Sequence, residues 1–471
     1  MAQIVVVGGG LVGNCSAMLL AADGHSVVVL ERDPEPPPAS AEAAWNEWTR
    51  RGVNQFHMLH YFLPRFRDIL ERELPAVADE LDADGALRFN PLEAVPPEIS
   101  GGTRTGDERH QSLTGRRPMV EAAVERVSAR TPNVDVRLGV AVRGLLADDR
   151  RRNGGPHVVG VVTDDSTELR ADLVIDAGGR RSAMPGMLSA IGAPAVAEAR
   201  DDCGFVYYGR HFRSGDGSIP LLFGPPLQAY DSISTLTLPA DNGTWGVGVI
   251  TSAHDKEMRR CRDVDVWNQV VNAFPLVAHW IDAEPISDIA VMAGIEDRQR
   301  RYVVDGAPVA TGVAPVGDAW ACTNPSVGRG CTIGLMHAEA LRDLVREHPL
   351  DDADGFARAW HATTETRVEP HVRDTLHFDR HRLAEIEAQC DGRQYETDDD
   401  EWLLGEAFAA ASGKDPDLFR AFLDSVALYE RRVDVLARPG VADRVRELAG
   451  PAGAGALPGP SRAQLVALVG T

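Results

Sequence analysis

Gly8, Gly10 and Gly13 follow the apolar run Ile4–Val7 in the spacing G-x-G-x-x-G, and Glu31 closes the next apolar run, Ser26–Leu30. These residue types in this order suit one task, holding the pyrophosphate and ribose of a dinucleotide. Gly8 permits a tight turn, Gly10 lets a pyrophosphate touch the backbone, and Gly13 lets a helix pack close to a strand. Glu31 can accept hydrogen bonds from ribose hydroxyls and would repel a 2′-phosphate, which disfavours NADP here. The elements that must position them are a strand over Ile4–Val7, a helix over Cys15–Ala22 and a strand over Ser26–Leu30. Together they make a βαβ unit whose helix N-terminus offers free N–H groups and partial positive charge to phosphate.

A second set of chemistry-bearing residues lies over three hundred positions downstream, in APVGDAWACTNPSVGRGCTIGL, Ala314 to Leu335. A charged Asp318 at a strand's C-terminal end beside glycines is where α/β folds place ligand contacts. The helix that follows can stabilise negative charge at its N-terminus. This segment resembles the second FAD fingerprint of flavoprotein monooxygenases and related oxidoreductases: a strand, G-D-A, then P-x-x-G-x-G and a helix. The resemblance implies that Asp318 holds a ribityl hydroxyl and that Pro325, Gly328 and Gly330 pass close to the isoalloxazine ring. GRRPMVEAAVERV, from Gly115, is similar to the family helix whose leading arginine, here Arg117, reaches the flavin. Val12, Arg32 and Gln55 complete the cofactor contacts so implied.

LVIDAGGRRSAMP, from Leu173, resembles the family's middle fingerprint and contributes Asp176 and Gly178, but it departs from the usual form. Ala177 follows Asp176, and Pro185 stands where an arginine often closes the motif. It is closer to the D-A-x-G-R-x-S of halogenases, geranylgeranyl-reductase-like enzymes and some epoxidases. In aromatic hydroxylases this motif serves NAD(P)H as well as FAD, so direct NAD(P)H use is in doubt. No second G-x-G-x-x-G follows another strand, which excludes the disulfide reductases with two dinucleotide domains. Electrons are expected from transiently bound NAD(P)H, from a separate flavin reductase, or from the substrate itself.

The resemblance covers roughly Met1 to Glu347. It implies an α/β fold with a glutathione-reductase-type (Rossmann-like) FAD-binding domain, a mixed-sheet substrate domain and a helical C-terminal region. The expected division is 1–75, 103–190 and 296–375 for FAD, 76–102 and 191–295 for substrate, and 376–471 for the C-terminal helices. The implied activity is that of an FAD-dependent monooxygenase, hydroxylating or epoxidising a sizeable apolar or aromatic small molecule with molecular oxygen through a flavin hydroperoxide. The cofactor carries that chemistry, and the protein excludes water and aims the substrate. The rival readings are a dehydrogenase or ene-reductase of the geranylgeranyl-reductase type and a non-catalytic FAD-binding protein. A halogenase would need W-x-W-x-I-P and an early lysine, yet Trp45 and Trp48 are spaced W-x-x-W and no lysine precedes Lys256. A Ser-His-Asp hydrolase would need a G-x-S-x-G elbow, which is absent.

Asn54, Gln55, His57 and His60 follow the nucleotide loop. His57 or His60 could deprotonate a phenol, and Arg210 is the third candidate catalytic residue. Tyr207, Tyr208, Phe212, Phe223 and Tyr230 are candidate substrate contacts. No metal site is expected: His57 and His60, or His377 and His381, have helical spacing, but no acid or cysteine cluster accompanies them.

The 471 residues can build two or three sizeable cores. A net charge of −22 argues against nucleic acid or an anionic membrane as partner. Six dispersed cysteines suggest no disulfide framework and fit a reducing cytoplasm. Neither a signal peptide nor a membrane span is expected. Helices are further expected over Tyr61–Leu74, Pro118–Arg130, Val264–Phe274, the stretch after Gly330, and most of 351–471. A hairpin is expected around ADDRRRNGGP and a loop at GPAGAGALPGP. Pro91–Gly106 reads as loop and strand edge.

Overall fold

The computed structural model describes residues 1–152, 155–449 and 457–470, and the expected hairpin tip at 153–154 and most of the GPAGAGALPGP loop lie outside them. The chain opens with β1 (Gln3–Val7), α1 (Leu11–Ala22) and β2 (Ser26–Glu31). It continues through α2 (Arg117–Arg130), β3 (Val134–Leu138) and β4 (Leu173–Asp176). The strands β5 (Phe205–Arg213), β6 (Ser234–Pro239) and β7 (Thr244–Ser252) follow. The chain then returns through β8 (Val313–Pro315) to α3 (Gly330–Glu347). The helices α4 (Glu369–Cys390), α5 (Asp400–Ser412) and α6 (Pro416–Val426) form much of the C-terminal part.

The first sheet has the order β8-β4-β1-β2-β3, with all neighbours parallel. The strands β1, β2 and β4 are near-continuous apolar runs because both faces of the sheet are covered, one by helices and the other largely by an antiparallel hairpin. Val6, Ile175 and Ala314 pack on Leu20 of α1 and Leu341 of α3 on one face; Val5, Leu30 and Val174 pack on Leu145, Val158 and Val161 on the other. Leu19, Leu113, Met119, Val124 and Leu335 belong to a separate cluster beyond the sheet. A hairpin of Val142–Arg152 on Gly155–Thr163 leans on this half.

The second sheet runs Leu227–Ala229, β6, β7, β5, Glu284–Pro285, with Ala290–Met292 also on β5. All its pairings are antiparallel, narrower than the mixed sheet expected from short alternating strands. Every residue of β7 is buried, since helix Val264–Asn272 covers one face and the rest of the chain the other. The stretch 91–106 is not a strand edge. Asn90 caps a short helix, Pro91–Ala94, and Pro97–Ser100 forms another. Proline favours the first turn of a helix, where its missing N–H costs nothing.

The two sheets meet at a buried ion pair. The Arg116 guanidinium holds Asp241 at 2.6 Å, with both side chains fully buried, and the Arg116 backbone N–H donates to the same carboxylate at 2.6 Å. Glu42 joins from the first half and is itself paired with Arg213 of β5.

Candidate active site

One cavity of about 1720 Å³ runs from the glycine loop to the antiparallel sheet and the C-terminal helices. At one end it is lined by Gly8, Gly10, Val12, Glu31, Arg32 and Gln55. Past Arg117, Asp176 and Gly178 it reaches Asp318, Pro325, Gly328 and Gly330. Residues separated by three hundred positions thus share one wall because β1, β4 and β8 are adjacent parallel strands that all end on this side.

The local geometry follows from the glycines. Gly8 has φ of +109°, which lets the chain turn beneath the Ala177 carbonyl. A Cβ on Gly13 would lie 2.0 Å from the Gly8 carbonyl oxygen, so α1 can sit against its strand only without a side chain there. Gly13 is therefore a packing residue beneath the loop and does not line the cavity. Gly10 and Gly330 differ: a Cβ at either would meet nothing within 4 Å. Both α1 and α3 lack a side-chain cap and an acid in the first turn. Their leading N–H groups are left to face the cavity, the usual arrangement for binding anionic groups.

Asp318 lines the cavity with no hydrogen bond from the described protein residues. Burial raises its carboxyl above the ordinary carboxylate value, opposed by Arg117, Arg180 and Arg298. Such a carboxylate needs donors, and ribityl hydroxyls are suitable ones. Open cradles at Gly10 and Gly330, two uncapped helix ends and the unpaired Asp318 all fit FAD. Replacing Asp318 by Ala is expected to weaken FAD retention by about 1.5–3 kcal/mol, the range for hydrogen bonds to a charged group. Flavin absorbance per polypeptide checks this; an Asp318→Ala protein that purifies fully yellow contradicts it.

Glu31 and Asp176 are more fully engaged. Glu31 accepts the Gly9 N–H at 2.8 Å, the Asp33 N–H at 2.9 Å and the Arg50 guanidinium at 2.7 Å. Arg50 also faces Glu125 at 3.1 Å and Glu121 at 3.6 Å. Glu121 in turn accepts from Arg117 at 2.6 Å. A chain of buried charges therefore runs from the ribose end to Arg117. Burial pushes Glu125 up to about 7 within it, against the pull of Arg50. Asp176 accepts from the Gly178 N–H and the Ser182 hydroxyl, so it shapes the turn as well as lining the cavity.

The expected catalytic residues take other places. His60 lines the cavity, but Nδ1 meets the Met58 carbonyl at 3.0 Å and Nε2 meets the Arg117 guanidinium at 3.1 Å. Burial and then Arg117 push its pKa down to about 3. With both nitrogens engaged, His60 positions Arg117 and is no free base. His57 bonds the Trp45 carbonyl at 3.1 Å and packs on Trp45 and Phe56, outside the cavity. Arg210 donates to the Ser287 carbonyl at 3.0 Å and also lies outside.

Of the expected substrate contacts, Phe223 and Tyr230 line the cavity and Tyr207, Tyr208 and Phe212 do not. Tyr208 and Phe212 face the Val264–Asn272 helix, where Trp267 donates to the Tyr208 carbonyl at 3.0 Å. Tyr207 donates its hydroxyl to Asn324, just before Pro325.

Three supports lay beyond the sequence reading. Asn14 donates to the Gly9 carbonyl at 2.6 Å and braces the glycine loop. His337 accepts the Gly317 N–H at 3.1 Å, and burial takes its pKa down to about 3, which keeps it neutral and able to accept. Asp379 on α4 accepts from Asn324 at 2.9 Å and Ser326 at 2.7 Å, fixing the turn around Pro325. The helical spacing of His337 from Gly330 was visible, but its partner was not.

Residues 3–72 match a family model described as FAD dependent oxidoreductase. Protein Rv3254 of Mycobacterium tuberculosis is 28% identical over 361 residues, covering 73% of this chain and 72% of that protein. Among solved structures, PqsL of Pseudomonas aeruginosa, a probable FAD-dependent monooxygenase, superposes with a TM-score of 0.58 at 17% identity. That alignment covers 82% of this chain and 97% of PqsL. A flavin-dependent brominase covers all of this chain and 98% of its own with a TM-score of 0.55 at 15% identity. The α/β flavoprotein fold is common to them. Among the described residues no helix is long and apolar enough to cross a membrane.

Proposed function

We propose that this FAD-dependent oxidoreductase is a monooxygenase that adds one oxygen atom from molecular oxygen to a sizeable apolar or aromatic molecule, by hydroxylation or epoxidation. The observation that carries the reading is the continuity of the cavity. Ordinary ligand pockets are about 300–1,000 Å³, and the 1720 Å³ here exceeds that range. Beyond Gly328 the lining combines apolar side chains, Phe205, Leu236 and Ile250 from the antiparallel sheet and Phe422 and Leu423 from α6, with the polar Arg382, Glu385 and Gln389 of α4. Phe223 lines the cavity and is 56% exposed.

When bound, FAD supplies the redox chemistry and the activation of oxygen. The protein's own groups hold and shield. The Gly10 and Gly330 helix ends face the anionic parts of the cofactor, and Asp318 takes the ribityl hydroxyls. Arg117, steered by His60 and Glu121, sets positive charge beside the ring's expected place. Arg329 lines the chamber, and among the described residues its side chain makes one hydrogen bond, to Thr375 at 3.5 Å, so its charge is available to an electron-rich oxygen of the substrate. The apolar part of the chamber wall shields the reacting end from water, and its shape orients the substrate.

The test is anaerobic reduction of the holoprotein followed by a pulse of labelled oxygen, with a panel of apolar aromatic and alkene compounds. Label in the product is expected. Product formed without oxygen supports a dehydrogenase or ene-reductase instead. A flavin that neither NADH, NADPH nor an added flavin reductase reduces points to a non-catalytic flavoprotein. The same anaerobic step separates direct NAD(P)H use from a partner reductase.

A further inference from the structure

Outside the cavity, α4 presents His377 and His381 one turn apart, and the connection into α5 brings Asp399 against both. His377 Nε2 lies 3.0 Å and His381 Nε2 3.2 Å from the same oxygen, Asp399 Oδ2. The other Asp399 oxygen accepts the Trp402 N–H at 2.9 Å and caps α5, which fixes the carboxylate. His381 Nδ1 is 2.8 Å from the Tyr395 hydroxyl. Among the described residues His377 Nδ1 has no hydrogen-bond partner, and it sits 4.0 Å from Glu401 Oε1.

The proton count at His377 is awkward for a neutral ring. With the proton on Nε2, the bare Nδ1 lone pair faces the Glu401 carboxylate. With the proton on Nδ1, the Nε2 lone pair faces Asp399. A cation among both Nε2 atoms and Asp399 Oδ2 removes the conflict. Both imidazoles then ligate through Nε2 and turn Nδ1–H outward to Tyr395 and Glu401, the usual outer support of a metal-binding histidine. Ligand bonds of about 2.0–2.1 Å in a tetrahedral zinc site put neighbouring ligand atoms roughly 3.3 Å apart, close to the two N···O separations seen, and all three ligand atoms lie within 4.8 Å of one another.

We propose that His377, His381 and Asp399 bind a divalent transition-metal ion of the zinc class. These side chains are 16%, 13% and 34% exposed, which leaves an ion a way in and a solvent-facing fourth position. The site ties α4 to α5 across the connection 391–399. Phe378 and Arg382 of α4 and Gly405 and Ala409 of α5 line the chamber, so the ion braces its C-terminal wall.

The experiment uses untagged, FAD-loaded full-length protein, stripped with chelator and dialysed against zinc chloride. Elemental analysis is expected to find one zinc per chain, with a raised melting temperature. The His377→Ala/His381→Ala protein is expected to retain none above background, with unchanged flavin content. Tyr395→Phe, which keeps all three ligands, is expected to bind zinc about tenfold more weakly. Should the double variant lose its fold, His381→Gln serves in its place, checked by flavin content and zinc-free melting temperature. Equal zinc uptake by wild type and variant overturns the proposal. So does a wild type that takes up no zinc and whose melting temperature follows pH alone, as a protonated His377 bridging the two carboxylates would give.

Discussion

Gly13→Ala is expected to yield insoluble or unfolded protein, while Gly10→Ala yields folded protein that is nearly colourless. The two glycines are three residues apart in one motif, yet an added methyl meets opposite surroundings. At Gly13 the new Cβ would lie 2.0 Å from the Gly8 carbonyl oxygen and 3.2 Å from the Ala177 side chain. Backbone must move, taking α1 away from β1 and straining the core around Leu19 and Met18. Overpacking alone typically costs about 1–3 kcal/mol, and more where backbone is the obstacle. That is a large fraction of the roughly 5–15 kcal/mol holding a domain together. At Gly10 the backbone has φ of −73°, which alanine adopts freely, and nothing lies within 4 Å. Alanine as N-cap in place of glycine costs about 1 kcal/mol or less. The methyl instead enters the space where a pyrophosphate must approach, so FAD affinity falls by tenfold or more, about 1.4 kcal/mol. Circular dichroism with flavin absorbance separates the two outcomes. A fully yellow Gly10→Ala protein would show that no phosphate sits at this loop.

Asp241→Ala is expected to destabilise the protein by about 3–5 kcal/mol, the cost of leaving one member of a buried ion pair uncompensated. The Arg116 side chain is fully buried, and one of its terminal nitrogens, Nη1, already lacks a partner among the described residues. Without Asp241, Glu42, 45% exposed at its side chain, is the one carboxylate left against it among the described residues. The pair joins the start of α2 to the turn after β6, so its loss loosens the contact between the two sheets. Thermal unfolding should show a lowered midpoint, with Asp241→Asn intermediate because it preserves shape and some hydrogen bonding. An unchanged midpoint in Asp241→Ala would mean that water solvates Arg116 and the joint is not rigid. The adjacent arginines divide the work, with Arg116 holding the sheets together and Arg117 facing the cavity.

The histidines mark where sequence reading stopped. His57 and His60 stood in a suggestive row after the nucleotide loop, and only packing assigned Arg117 to one and Trp45 to the other. The acids nearest His377 and His381 in sequence, Asp374 and Asp379, are taken by Arg431 and by Asn324 and Ser326, and the acid that meets both rings, Asp399, reaches them by way of a connection with no periodic pattern. The aromatic strand β5 posed the same difficulty. Alternation says that Tyr207 and Tyr208 point to opposite faces, but the strand is buried on both, so polarity could not name the cavity face.

The sequence alone determined the dinucleotide loop, the flavin-type return at Asp318 and the α/β architecture. Those features depend on short-range facts: glycine backbone freedom, the spacing of apolar residues, and a helix beginning directly after a turn. The tertiary structure alone decided which side chains are free to act. His60 lost its lone pair to Arg117, Tyr208 and Phe212 turned toward Trp267, and Asp318 kept its carboxylate open. Such assignments depend on neighbours distant in sequence, since a polar atom's availability is set by what else fills the space around it.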